Sequence, residues 1–433
     1  MAKHLIVMSV DAMVFEDLAY LSALPHFGIL LEQGSRIERV RSIYPTLTHP
    51  IHVTLMTGCY PDRTGVCNNV RPEIGNPNAS WYNDLGDVGV QTIFHAAKTA
   101  GLSTCACRWP VTSRAAGVID YLVPEILEET PGEDPAAPYH RQGTSAQLMD
   151  DIVGPLLHVQ NPSAPRHPAY DTFEIDCAAS IIKRYKPNLV FTHPGQVDSA
   201  RHDYGLFNIQ VDQSLALADR YLGRLMDAAR DAGIYDETNF VVLSDHGHLE
   251  VKRTICPNVV LADEGLIRLD GQGNVTSWDA YIQSAGLSAQ VFVRDPGDAN
   301  LCARVHGLLR HMCNEGIYGI SQVFTAAEAE NRYRLAGGFS FVLEGDGFSS
   351  FGESCVRPIA RPLEITDYRY GHSTHGHLPE KGPQPPFLCI GPDFRPGVVL
   401  HQGRIIDEAP TMAAAMGLSL PEADGEPVQE LLY

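Results

Sequence analysis

The sequence has no uninterrupted apolar run of the roughly 18 to 20 residues that a membrane-crossing helix needs, and its longest hydrophobic stretches are only as long as strands. No membrane span is expected. Basic residues are also scarce: Lys and Arg number 32 against 52 Asp and Glu, a formal net charge of −20, and no basic block could follow the phosphates of a duplex. That excludes a nucleic-acid polymer as the principal partner. The 10 cysteines (Cys59, Cys67, Cys105, Cys107, Cys177, Cys256, Cys302, Cys313, Cys355 and Cys389) form no CxxC pair and no repeating spacing, so they read as reduced structural thiols rather than a thiolate metal site. There is no internal repeat and no low-complexity tract. The opening MAKHLIVMSVDAM lacks an export signal's long apolar core and small-residue cleavage site, and reads as a first core strand; a cytoplasmic location is the expectation.

What is present is core-forming material: 433 residues, 44% hydrophobic and 19% charged. Short apolar runs alternate with segments of helical period, which predicts an α/β fold with a mainly parallel central sheet and helices on both faces. The expected strands are Leu5–Val10, Thr104–Trp109, Leu189–Thr192, Phe240–Ser244 and Phe387–Ile390. Gln91–Ala100 reads as a helix stopped by Gly101. A longer helix runs from Ile209 to Ala232, with Val211, Leu215, Ala218, Leu222, Leu225 and Ala229 on one face. Patterning becomes irregular from Pro257 to Glu364, with strands at Ala289–Val293 and Phe339–Leu343 and a helix at Ala299–Cys313. This predicts a core of residues 1–256 and 365–433 interrupted by an inserted cap, 257–364. The Pro-, Gly- and Asp-rich stretch Thr130–Pro168 is expected to be a surface excursion.

The chemistry gathers at strand ends. Asp11 follows LIVMSV and Asp245-His246 follows FVVLS; in open α/β sheets ligands bind at the carboxyl ends of strands, although an aspartate there also serves as a turn former or helix cap. In FTHPGQVDSARHDYG, a helical turn would put Asp198 and His202 on one face, where they could hold a cation or simply pair at the surface. The glycine-flanked GHSTHGHLP crowds His372, His375 and His377 into one loop. In YPTLTHPIHVTLMTG, Thr48 precedes Pro50 and an amphipathic stretch, which places it at a helix N-terminus where an alkoxide or a phosphoryl group is favoured.

Taken in order, Asp11, TLTHP, Asp198-xxx-His202, SDHG and THGH resemble the alkaline phosphatase superfamily, specifically its nucleotide pyrophosphatase/phosphodiesterase (type I phosphodiesterase) branch. Asn69 in GVCNN and the run from Ser80 to Thr112 add to the likeness, which covers most of residues 1 to 250 and returns near 366. The resemblance implies an alkaline phosphatase-like three-layer sandwich with a smaller inserted cap. It further implies that Asp11, Thr48, Asp245 and His246 bind one divalent metal ion and Asp198, His202 and His375 another. Thr48 would be the nucleophile and Asn69 a donor to a non-bridging phosphate oxygen. Metal coordination answers the weakness of a threonine hydroxyl as a nucleophile, as it lowers the pKa of bound water from about 16 to about 7. Imidazole and carboxylate donors without thiolate suit zinc, with manganese or iron as alternatives.

Two dications against Asp11, Asp198 and Asp245 leave a single positive charge with Thr48 protonated and none once it ionises, which balances a diester better than a doubly charged monoester. The implied activity is hydrolysis of small phosphodiesters through a phosphothreonine. The competing readings are a phosphomonoesterase, a phosphonoacetate hydrolase-like C–P hydrolase, disfavoured because Lys98 is the only lysine between Lys3 and Lys183, and a phosphosugar mutase. His49 stands where the branch carries an aromatic after the nucleophile; Trp81, Tyr82 and Tyr204 are candidate stacking replacements. Arg63 and Arg201 lie near the motifs in sequence without an assignable role.

Overall fold

The computed structural model describes residues 2–433 apart from 77–78, 128–129, 131, 161, 163–165 and 364–370, so the expected boundary at 364/365 lies outside the described residues. Eight strands form the main sheet: β1 (His4–Ser9), β2 (Ser35–Arg41), β3 (Thr104–Cys107), β4 (Tyr121–Val123), β5 (Leu189–Thr192), β6 (Thr238–Leu243) and, after the four strands of a second sheet, β11 (Phe387–Ile390) and β12 (Val399–Arg404). Their order is β12-β2-β11-β6-β1-β5-β3-β4, with β11 antiparallel to both neighbours and the other pairs parallel.

Strand pleating explains the layers. Ile6 and Met8 of β1 enter one buried apolar cluster while Leu5 and Val7 enter the other. The first cluster is completed by helices α1 (Pro25–Gln33), α4 (Ala169–Tyr185) and α6 (Ile209–Asp231); the second by α2 (Thr48–Thr57), α3 (Ile93–Thr99) and α8 (Glu408–Ala415). The expected three-layer α/β sandwich is therefore present. α6 begins where the Asn208 side chain accepts from the Gln210 and Val211 amides at 3.0 and 3.1 Å, and the threefold and fourfold spaced residues read from the sequence are its buried face.

Three expectations are corrected. β2 and β12 were not among the predicted strands: SRIERVR and VLHQGR carry charged and polar residues because they lie at the sheet's exposed end. The described part of Thr130–Pro168 is not a surface excursion, since its short helices bury Tyr139, Leu148, Met149, Ile152, Val153 and Leu157 in the first cluster. Nor is α2 amphipathic: His49 through Thr57 are all buried, because the helix runs inside the second layer.

The second sheet has the order β7-β8-β10-β9, all antiparallel, from β7 (Ala280–Ala285), β8 (Ser288–Val293), β9 (Ile320–Thr325) and β10 (Phe341–Gly345), with helix α7 (Ala299–Glu315) against it. β7 and β8 are joined by the two-residue turn Gly286-Leu287, whose first residue has φ +75 as a type II′ hairpin requires. This turn sits on the loop that carries His375. Leu287 N donates to His375 O at 2.9 Å, and a Cβ on Gly376, at φ +94, would lie 1.7 Å from Ala285 O. Gly376→Ala is accordingly expected to lower the thermal midpoint by at least ~5 °C, since backbone on both sides must move. Gly101→Ala, at φ +75 but with nothing within 4 Å, meets only local strain and should lower it far less. Equal shifts in calorimetry would refute this account of the junction.

Candidate active site and metal centre

β6, β1 and β5 are adjacent, and the residues just past their carboxyl ends converge: Asp245-His246, Asp11 and His193. Thr48 is the first residue of α2, with Leu47 in the capping position and no side-chain cap, so its hydroxyl is not spent on the helix; Oγ1 lies 3.3 Å from His246 Nε2. The same Nε2 is 3.2 Å from Asp245 Oδ2 and 3.6 Å from Asp11 Oδ1. Asp245 Oδ1 accepts from the Ala12 amide at 3.1 Å, whereas Asp11 Oδ1 and Asp245 Oδ2 are buried with no hydrogen-bond donor among the described residues. Buried carboxylate oxygens facing an imidazole and one another without donors are the environment a cation relieves.

The second group lies beside it. α5 (Gln196–Tyr204) puts Asp198 and His202 on one face, with His202 Nε2 3.3 Å from Asp198 Oδ1. His375 Nε2 is 3.8 Å from the same oxygen, and the His375 ring stacks on His246 at 3.8 Å, joining the two groups. Of the three loop histidines only His375 turns inward to Asp198; His377 is buried with Nδ1 on Leu378 O at 2.9 Å, and His372 is exposed. Asn69 Oδ1 accepts from the His49 amide at 2.9 Å, which orients the carboxamide in a cavity lined also by Leu47, Ser284, Glu353 and His375.

Electrostatics match a site built for cations. Burial, and then repulsion from Asp245 and Asp198, raise the Asp11 pKa well above the ordinary carboxylate value; burial above all pushes Asp245 up to about 7. Burial pushes the His375 imidazole down to about 4 and His246 well below its usual value, so both are neutral and able to ligate. Burial also works to raise Asp198, but His202 and His248 override it and hold the carboxyl well below the usual range. Donor set, burial and missing donors all fit divalent ions.

Several polar residues at the site were not legible in the sequence. His248, two residues past the dyad, has Nε2 2.7 Å from Asp198 Oδ1. His52 donates from Nδ1 to Thr48 O at 2.8 Å, while its Nε2 meets Ser9 Oγ at 2.9 Å, pinning the first turn of α2. His193 Nε2 contacts Asp11 Oδ2 at 3.1 Å, and its own amide donates to Glu174 Oε1 at 2.6 Å. Behind it the buried Arg108 reaches Asp171 at 2.6 Å, Glu125 at 3.6 Å and Glu174 at 3.8 Å, an ionic support whose partners lie far apart in sequence. Arg201 is structural, bound to Asp17 at 2.6 Å, and Arg63 pairs with Asp424 at 3.4 Å. Lys98 pairs with Asp120 at the surface. Trp81 packs against the buried His49 ring with centroids 4.9 Å apart, Tyr82 under Arg71, and Tyr204 is exposed.

A family profile for type I phosphodiesterase / nucleotide pyrophosphatase matches residues 5–315. The chain belongs to this family. Among curated relatives it is 25% identical over 256 residues to a venom phosphodiesterase of Naja atra, covering 56% of this chain and 26% of that one. It is 27% identical over 233 residues to ectonucleotide pyrophosphatase/phosphodiesterase family member 1 of Mus musculus, covering 52% and 21%. The chain thus spans about a quarter of the length of the curated relatives it matches. In fold it is similar to murine ectonucleotide pyrophosphatase/phosphodiesterase 5, solved as an inactive variant in complex with AMP, with a TM-score of 0.67 at 18% identity over 100% of both chains. The human counterpart gives 0.65 at 18% identity over 99% of each chain. His49, the residue after Thr48, turns away into a buried pair with Glu125, 3.3 Å from its Nε2.

Proposed function

We propose that this chain hydrolyses small phosphodiesters or nucleotide pyrophosphate bonds, with Thr48 as nucleophile. One observation carries the reading: a partly exposed hydroxyl, uncapped at the first turn of a buried helix, 3.3 Å from His246 Nε2 and flanked by two convergent groups of carboxylates and imidazoles. Asp11, Asp245, His246 and Thr48 would hold one divalent ion, zinc by donor type, and Asp198, His202 and His375 a second. Bound there, the ions lower the proton affinity of the attacking hydroxyl and offset charge on the departing oxygen. Thr48 Oγ1 forms a bond to phosphorus as the ester bond opposite breaks and the leaving group takes up a proton. Water then cleaves the Oγ1–P bond and returns a proton to Oγ1. Asn69, its Oδ1 already occupied by the His49 amide, presents its NH2 to a non-bridging oxygen.

The cavity around Asn69 favours a diester over the competing substrates. Among the described residues its lining includes no lysine or arginine and one carboxylate, Glu353, so none of these pairs with a phosphonate's carboxylate or with the second charge of a monoester. A zinc-defined panel tests this: nucleoside 5′-esters, dinucleoside polyphosphates, glycerophosphodiesters, bis-p-nitrophenyl phosphate, p-nitrophenyl phosphate and phosphonoacetate. A kcat/KM at least tenfold higher for a diester than for p-nitrophenyl phosphate is expected. The reverse order, C–P cleavage of phosphonoacetate, or an isomerised product without release overturns the reading.

A further inference from the structure

His248 sits in none of the ligand sets above, yet its hydrogen bonds fix where its lone pair points. Ser373 Oγ donates to Arg201 O at 2.7 Å, so its single proton is used. The contact between Ser373 Oγ and His248 Nδ1, 3.0 Å, therefore has Nδ1–H as the donor. That leaves the lone pair of the neutral ring on Nε2, which is 2.7 Å from Asp198 Oδ1, another lone-pair atom. Two acceptors at that distance repel unless a proton or a metal cation lies against both.

The other two imidazoles around Asp198 are built the same way. His202 Nδ1 donates to Ser373 O at 2.8 Å and His375 Nδ1 to Thr46 O at 2.8 Å, so each directs its Nε2 inward, 3.3 and 3.8 Å from the same Asp198 Oδ1, free to ligate once any proton there is displaced. Carbonyl or hydroxyl anchoring of the outer nitrogen is the arrangement that fixes a metal-bound histidine's tautomer. Ligand atoms about 2.0–2.1 Å from a tetrahedral ion lie about 3.3–3.4 Å apart, and the separations here bracket that edge. The ligand atoms of Asp198, His248 and His375 lie, with that of His246, within 4.8 Å of one another, and the His202 ring borders this group with its centroid 4.5 Å from that of His248. His248 is 1% exposed and has no route to solvent for its polar edge.

We propose that His248 is a protein ligand of the second metal ion, which is thereby held by three imidazoles and one carboxylate. This rests on the two-metal reading above. Four protein donors would satisfy the usual coordination number of zinc. The ion should accordingly be retained more tightly than one with two imidazoles and a carboxylate.

The test uses the metal-loaded protein. In the Co²⁺-substituted wild type, each ligating imidazole contributes one solvent-exchangeable N–H resonance shifted far outside the ordinary proton NMR range, and four are expected: His246 at one ion and His202, His248 and His375 at the other. In His248→Gln, competition with a chromophoric chelator should show one of the two ions held at least thirtyfold more weakly, with the visible Co²⁺ bands altered. Two ions bound with only three such resonances, or an unchanged affinity and spectrum in His248→Gln, overturn the proposal and leave His248 as a hydrogen-bond partner of Asp198. Failure of the wild type to take up two ions overturns the two-metal reading itself, a result read from metal analysis independently of the resonance count. The wild-type count stands even if the variant does not fold.

Discussion

Thr48→Ala is expected to lower kcat at least a thousandfold on the best diester while leaving the fold intact. Removing a nucleophile whose function nothing else can assume costs several orders of magnitude, because the residual rate comes from binding and charge stabilisation alone. The structural cost should be small. The Thr48 hydroxyl makes one 3.3 Å contact, to His246, and does not cap α2, so its loss removes less than about 1 kcal/mol of folding free energy. A circular dichroism melt within a few degrees of wild type separates lost chemistry from lost structure. Thr48→Ser keeps the hydroxyl and should restore most of the activity. Acid quenching during turnover should trap a phosphorylated protein in wild type and none in the alanine variant. A loss smaller than tenfold, about 1.4 kcal/mol of barrier, would remove Thr48 from the nucleophile role.

The strands that the sequence revealed are the ones buried on both faces. β5 and β11 were bounded correctly at both ends because LVFT and FLCI are continuous apolar runs between turn residues. β2 and β12 escaped because an exposed sheet end carries mixed residues, and the 130–168 helices because Pro, Gly and Asp dominate their connections. At the site, Asp11, Asp245-His246 and the pair Asp198 and His202 stand out because strand ends and i,i+4 spacing are local signals, whereas the full ligand set is what the family resemblance implies; Asp11, Thr48 and Asp245 lie around His246, and His202 and His375 near Asp198. What could not be found depends on distance in sequence. Arg108 meets partners at 125, 171 and 174, and the orientation of the His248 ring is set by Ser373, 125 residues away. Local pattern identifies groups that touch the reacting atoms; the shell that orients them is set by tertiary packing.

The stabilisation conferred by bound metal is expected to grow as pH rises from about 5.5 to 8.5. In the metal-free protein Asp245 has its pKa pushed up to about 7 and Asp11 higher than normal, both chiefly by burial, against about 3.9 in an unfolded chain. Groups with a raised folded pKa stabilise fully below the unfolded value and lose that contribution as pH rises through the folded one. Burial would lower His202, but Asp198 overrides it and holds the imidazole above its ordinary value, so it acts with the same sign. Metal displaces these protons, so the loaded protein escapes the loss, and each displaced proton tightens binding about tenfold per pH unit, roughly 1.4 kcal/mol. The buried neutral rings cancel: His375, with its pKa near 4, and His246 carry no proton in this range in either folded state. Asp198, held well below its normal value, is likewise ionised throughout. Calorimetric midpoints of zinc-loaded and chelator-stripped protein should therefore diverge with pH, and Asp245→Asn should flatten part of that divergence. A gap that stays constant or narrows toward alkaline pH would mean that these carboxyls are not where the ions bind.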